Sequence, residues 1–179
     1  MVQSGAKWEN REWGIGPARR PPSTGGGREA TEKAAAVFLG EHKHIVDAKG
    51  RVVMPSRFRP ELERGLVVTK GQDRCLAVFP IERFNEEVAR LNRLPRTDRR
   101  TRNFARSLYG GASDQPLDAQ GRLPLPPALR SYAGLERDVV VCGAGDRVEI
   151  WDADTYYQFQ AENDDTFAQT DTALGEEGI

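Results

Sequence analysis

Short apolar runs separated by turn-forming residues set the hydrophobic pattern of this chain. Leu66-Val67-Val68, Leu76-Ala77-Val78-Phe79 and Val139-Val140-Val141-Cys142 are continuous and strand-sized, as expected of buried strands. Ile81, Phe84, Val88 and Leu91 recur instead at helical spacing and predict an amphipathic helix that Pro80 opens. Between these lie an extended segment over 38–46 and a turn, Asp47-Ala48-Lys49-Gly50, with Asp first and Gly fourth, the type I preference. That turn leads into Arg51-Val52-Val53-Met54 and predicts a hairpin. Pro55 then opens a short helix to about Arg64, which Pro60 is expected to distort or shorten. Strands over 66–70 and 75–79 make a second hairpin around Gly71-Gln72-Asp73-Arg74. Thr97 is the expected cap of a further helix that runs to about Tyr109 and ends at Gly110 and Gly111.

The same order then returns. Thirteen residues from Asp47 to Arg59 align with Asp118 to Arg130, 71 positions later, and six are identical. The match continues through Val139-Val140-Val141-Cys142-Gly143 and Val148-Glu149-Ile150-Trp151 once one residue is inserted. Each copy is about forty residues long, too short to bury an independent core, so the two copies must share one. A helix from Asp152 to about Phe167 follows the second copy. Pro124 removes a backbone donor where the first copy has Val53, which argues for an edge position.

The expected organisation is a disordered extension over 1–36, a first repeat with its helix over 37–92, an arginine-rich linking helix over 93–110, a second repeat with its helix over 111–167, and an acidic flexible tail over 168–179. Val37 is a candidate alternative initiator, which would make residues 1–36 an extension from gene calling.

The net charge of −1 hides an asymmetry. Residues 37–110 carry 16 basic and 9 acidic groups, whereas residues 111–179 carry 4 and 14. A cationic first half suits attraction of a polyanion, and the opposed halves suit head-to-tail association. No window approaches the roughly 20 apolar residues of a membrane span, and the N-terminus lacks a signal peptide's apolar core. A cytoplasmic protein without membrane contact is the expectation. Cys75 and Cys142, each inside an apolar run, read as buried free thiols in a reducing compartment.

Catalytic arrangements are missing. There is no nucleophile elbow, no phosphate loop and no Cys/His cluster, so no catalytic residue, cofactor, metal or small-molecule substrate is expected. His42 and His44 lack a third ligand and read as solvent-facing strand residues. The hairpin tips are better candidates: Lys49, Arg51 and Arg122 for contact with double-stranded DNA, and Asp47, Gly50, Asp118 and Gly121 for shaping the turns. Arg99, Arg102 and Arg106 share a helical face that either tracks phosphates or is simply solvated.

Phe38-Leu39-Gly40, Asp47 to Pro55, Gly71 to Leu76, Gly111-Ala112-Ser113, Asp118 to Arg130 and Val148 to Asp152 together resemble the MraZ family of bacterial transcriptional regulators. The resemblance covers about residues 37–167. It implies a mixed α+β, β-rich fold in which two tandem swapped-hairpin units of the SpoVT-AbrB type form one pseudo-symmetric body, with helices after each repeat. It further implies a ring-shaped homo-oligomer that binds short direct repeats in the promoter of its own division and cell-wall operon, usually repressing it. Arg51 and Arg122 would then contact DNA while Asp47 and Asp118 fix the turns. Pro60, Pro124 and Gln120 depart from the pattern, and Gln120 leaves the second tip less cationic than the first. The rival expectation is a protein-interaction module of antitoxin type without independent regulatory DNA binding.

Overall fold

The strands of each repeat find partners in the other repeat. The computed structural model describes residues 37–169, so the expectations for residues 1–36 and 170–179 lie outside the described residues. In chain order the elements are β1 (Glu41–Ile45), β2 (Arg51–Val53), α1 (Arg59–Leu62), β3 (Leu66–Lys70), β4 (Leu76–Pro80), α2 (Ile81–Asn92), α3 (Arg99–Gly111), β5 (Ser113–Asp114), β6 (Arg122–Pro124), α4 (Pro127–Tyr132), β7 (Asp138–Gly143), β8 (Val148–Asp152) and α5 (Ala153–Gln169). Six strands form one antiparallel sheet in the order β1-β7-β8-β4-β3-β5, and β2 pairs with β6 in a second, two-stranded sheet.

Exchanging the two copies maps this order onto itself. β1 corresponds to β5, β3 to β7 and β4 to β8, so the sheet reads the same from either edge. The pseudo-two-fold axis runs between equivalent residues, Val52 opposite Leu123 in the small sheet and Ala77 opposite Glu149 in the large one. The expected hairpin between β1 and β2 exists at its turn, where Val46 bridges Val52, but the strands then diverge to β7 and β6 respectively. β5 has only two residues because Pro116 stands where the first copy has Ile45 and cannot donate to a ladder.

Period-two alternation divides the large sheet's side chains between two layers. Leu66, Val68, Leu76, Val78, Val139, Val141, Val148 and Ile150 join Val52, Met54, Phe58, Leu123, Leu125 and Leu129 in a single core under the β2/β6 sheet and the short helices. Residues of both repeats contribute to it, as the length of one copy requires. On the other side Cys75, Val140, Cys142 and Trp151 pack with Tyr156 and Tyr157 of α5, and α2 and α3 lie against β3 and β4. The buried Thr69 hydroxyl donates to the Leu108 carbonyl at 2.7 Å and fastens α3 to β3. Both cysteines are buried free thiols. Burial pushes Cys142 up to about 11 and Cys75 further in the same direction.

Three local expectations are corrected. The helix after Pro55 begins only at Arg59, not at Pro55, and ends at Leu62: it is shorter, as Pro60 implied, and that proline sits in the first turn, where its missing donor costs nothing. The cap of α3 is Asp98, not Thr97: its carboxylate accepts from the Arg100 amide at 3.0 Å and the Thr101 hydroxyl at 3.2 Å. His42 is not solvent-facing, for its ring packs edge-on against Phe58 at 5.4 Å, and partial burial lowers the pKa of His44, with the neighbouring His42 and Arg59 adding to the effect.

Candidate nucleic-acid interface

The two Asp-x-x-x-Arg turns are built on the same plan. In the first, one Asp47 oxygen accepts from the amides of Lys49 at 2.8 Å and Arg51 at 3.0 Å. The other oxygen accepts from Arg51 Nε at 2.8 Å, and the second guanidinium nitrogen Nη2 lies 2.7 Å from it. In the second turn, Asp118 accepts from the amides of Gln120 at 2.9 Å and Arg122 at 3.0 Å, and from Arg122 Nε at 2.7 Å. Gly50 and Gly121 close the turns by donating to the Asp47 and Asp118 carbonyls at 2.8 Å, with φ of 73° and 72°. Asp at the first position and Gly at the fourth are therefore fixed by hydrogen bonding and by left-handed backbone, independent of any ligand.

The turns also abut. The β2/β6 pairing places them side by side, and Arg51 Nη1 lies 3.5 Å from Asp118 Oδ2 across the repeat boundary. Each repeat locks the other's turn. The Leu125 amide donates to the Gly50 carbonyl at 2.9 Å, and the Met54 amide donates to the Gly121 carbonyl at 2.9 Å. Arg130 covers the Gly50 α-carbon and Arg59 covers that of Gly121, so closely that a Cβ would meet the guanidinium carbon at 2.9 Å and 2.5 Å respectively. Arg59 Nε and Arg130 Nε are held in place by the Met54 and Leu125 carbonyls.

In the sequence these last two arginines stand only as the ends of the repeated segments. They are structural covers of the opposite turn, and the signal that could have found them was their place among the six identities. The result is a cluster in which Arg51 and Arg122 pair with Asp47 and Asp118 while Arg59 and Arg130 lie over the turn glycines. Three of the five Arg51 N–H groups are committed to carboxylates, leaving two for a ligand. Gln120 accepts from Arg122 at 2.7 Å, so the residue that removes a charge from the second tip also orients its arginine. Lys49 is exposed at the first tip.

The Arg51 contact pulls Asp47 well below the ordinary carboxylate range, to about 2. Burial acts to raise Asp118, but hydrogen bonds from the Arg122 amide and side chain and from Gln120 outweigh it and lower its pKa. Both aspartates are ionised at neutral pH, so each turn keeps its ion pair. No group of three or more His, Cys, Asp or Glu side chains suited to a metal occurs among the described residues. A cleft of about 460 Å³ on the helical side of the large sheet has Ala77, Phe79 and Trp151 among its lining residues, together with Arg147, which is paired with Glu149 at 2.8 Å.

Paired turns, an interleaved six-stranded sheet and a shared core define a tandem swapped-hairpin protein, two copies of one unit fused in a single chain. Residues 37–107 and 108–176 each match the family model described as "MraZ protein, putative antitoxin-like". The chain belongs to the MraZ family. It is 45% identical over 138 residues to a protein of Arthrobacter sp. (strain FB24), covering 77% of this chain and 97% of the relative. It is 47% identical over 133 residues to proteins of Parafrankia sp. (strain EAN1pec) and Thermobifida fusca (strain YX), covering 74% of this chain and 93% of each relative. All three carry the name "Transcriptional regulator MraZ". No helix among the described residues is long and apolar enough to cross a membrane.

Proposed function

We propose that this protein is a transcriptional regulator that binds double-stranded promoter DNA through its paired turns and represses its own division and cell-wall operon. The relatives' names support a regulatory role. One observation carries the DNA contact: residues 71 positions apart in sequence are gathered into one cationic edge, with Arg51 and Asp118 joining the turns. A turn is narrow enough to enter a groove, and the two free N–H groups of Arg51 suit a phosphate or the O6 and N7 edge of guanine. Lys49 adds phosphate attraction. A single pair of turns offers few contacts, so the protein is expected to act as a ring-shaped homo-oligomer that sets several pairs on successive direct repeats. It acts without catalysis or cofactor, in the cytoplasm at the nucleoid.

Anisotropy titration of the gene's own upstream fragment tests this reading. Wild-type affinity is expected to fall with salt at about −0.9 in log–log slope per phosphate neutralised. Lys49→Ala should lower that slope by about one, and Arg51→Ala should weaken binding severely at unchanged oligomeric mass. Wild-type affinity in Arg51→Ala sinks the assignment to the turns. No promoter binding at all, with co-purification of a neighbouring gene's product at fixed stoichiometry, would replace it by the antitoxin-type reading.

A further inference from the structure

Helix α5 outruns the body that supports it. Tyr156 and Gln160 on its inner stripe reach Glu41 on the edge strand β1, at 3.0 Å and 3.3 Å. Asn163 and Phe167 continue that stripe at helical spacing, yet Phe167 is 85% exposed. The last two turns therefore overhang the sheet edge with a large aromatic on the face that should be covered. Asp164, one turn before it, lies on the same side of the helix, and among the described residues it has no cationic partner.

The complementary surface is on α3. Arg99 and Arg106 share one exposed stripe of that helix, and among the described residues no carboxylate pairs with either. Beside them, α2 and α3 form a groove of about 330 Å³ with Leu91, Ala105 and Tyr109 among its lining residues, next to Arg96, Arg102 and Arg106. A benzene ring occupies roughly 150 Å³ of apolar cavity, so the groove is large enough for a phenylalanine.

We infer that the overhanging end of α5 in one copy seats Phe167 in the α2/α3 groove of the next copy, with Asp164 against the stripe of Arg99 and Arg106. The interface is heterologous, so repetition builds a ring or a filament. It rests on the self-association in the proposed function and assigns its surfaces.

Light scattering on the full chain tests it with two charge-reversed proteins, Arg99→Glu/Arg106→Glu and Asp164→Lys. Each alone should fall to the mass of one copy, 19.9 kDa, and their equimolar mixture should return to the wild-type mass because every interface then pairs opposite charges. Recovery on mixing shows that both variants fold. Phe167→Ala should raise the concentration at half-assembly roughly tenfold or more, as loss of a buried aromatic implies. Wild-type mass in both charge-reversed proteins overturns the assignment and leaves self-association standing. Lost promoter binding at unchanged mass in Arg99→Glu/Arg106→Glu also overturns it, in favour of phosphate contact by α3. A wild-type protein of 19.9 kDa overturns both this assignment and the ring.

Discussion

Arg51 Nη1 of the first turn lies 3.5 Å from Asp118 Oδ2 of the second, while Asp118 also holds Arg122 at 2.7 Å. One carboxylate thus serves two arginines from two repeats, whereas Asp47 serves only its own. The pseudo-symmetry of the backbone is broken at the residues proposed to meet DNA.

This inequality orders two substitutions. Asp118→Asn should lower the melting temperature more than Asp47→Asn, because it weakens both the second turn and the link between turns. Parallel thermal melts decide it, and equal losses would show that the link contributes nothing in solution.

Acid should report on the first turn. Asp47 titrates near 3.8 when unfolded and near 2 when folded, a depressed carboxyl. Its contribution is fully present above the unfolded value and is lost as pH falls through about 2. Wild type should therefore lose its advantage over Asp47→Asn between about pH 4 and 2, as melts across that window would show. A gap that persists unchanged to pH 2 contradicts the ion-pair geometry.

Glycine positions separate turn geometry from propensity. Gly50→Ala and Gly121→Ala should each destabilise by about 1–2 kcal/mol for the left-handed backbone alone. Gly121→Ala should cost more, since its Cβ would come closer to the covering guanidinium. Gly110 lies in α3 with nothing within 4 Å of a Cβ, so Gly110→Ala should stabilise by about 0.5–1 kcal/mol. Urea titrations measure all three.

Leu123 is fully buried opposite Val52 on the pseudo-two-fold axis. Leu123→Ala should destabilise by about 2–5 kcal/mol, and because the core is common to both repeats the loss should appear as one cooperative transition. Two separate transitions in urea would mean that the repeats fold independently.

At the second tip, Gln120→Lys should restore the charge that the first copy carries while releasing Arg122 from its 2.7 Å contact. If both tips lie on phosphate, promoter affinity should rise and the salt slope should steepen by about one. An unchanged slope would place the second tip away from the backbone of the DNA.

Much of this protein is local in origin and was readable from the chain. Asp47 with Gly50 and Asp118 with Gly121 specify turns through bonds spanning at most four residues, so their geometry follows from residue type. The stripe of Ile81, Phe84, Val88 and Leu91 specifies α2 in the same way. The helix starts expected at Pro55 and Thr97 lie elsewhere, because a helix start depends on which of several nearby candidates the backbone reaches, a matter of a few residues.

What lay beyond the sequence is everything that joins residues far apart. A strand's apolar pattern states that it is buried but not which strand lies beside it, so the exchange of partners between repeats had to be seen. Arg59 and Arg130 carried no local sign that each would lie over the other repeat's glycine, because the contact exists only after β2 meets β6. Duplication, turn chemistry and the need for a shared core were set by the sequence itself, since they follow from composition, short-range bonding and copy length. Tertiary structure alone brought Arg51 to Asp118, because strand pairing across 71 residues is a long-range choice that no local pattern encodes.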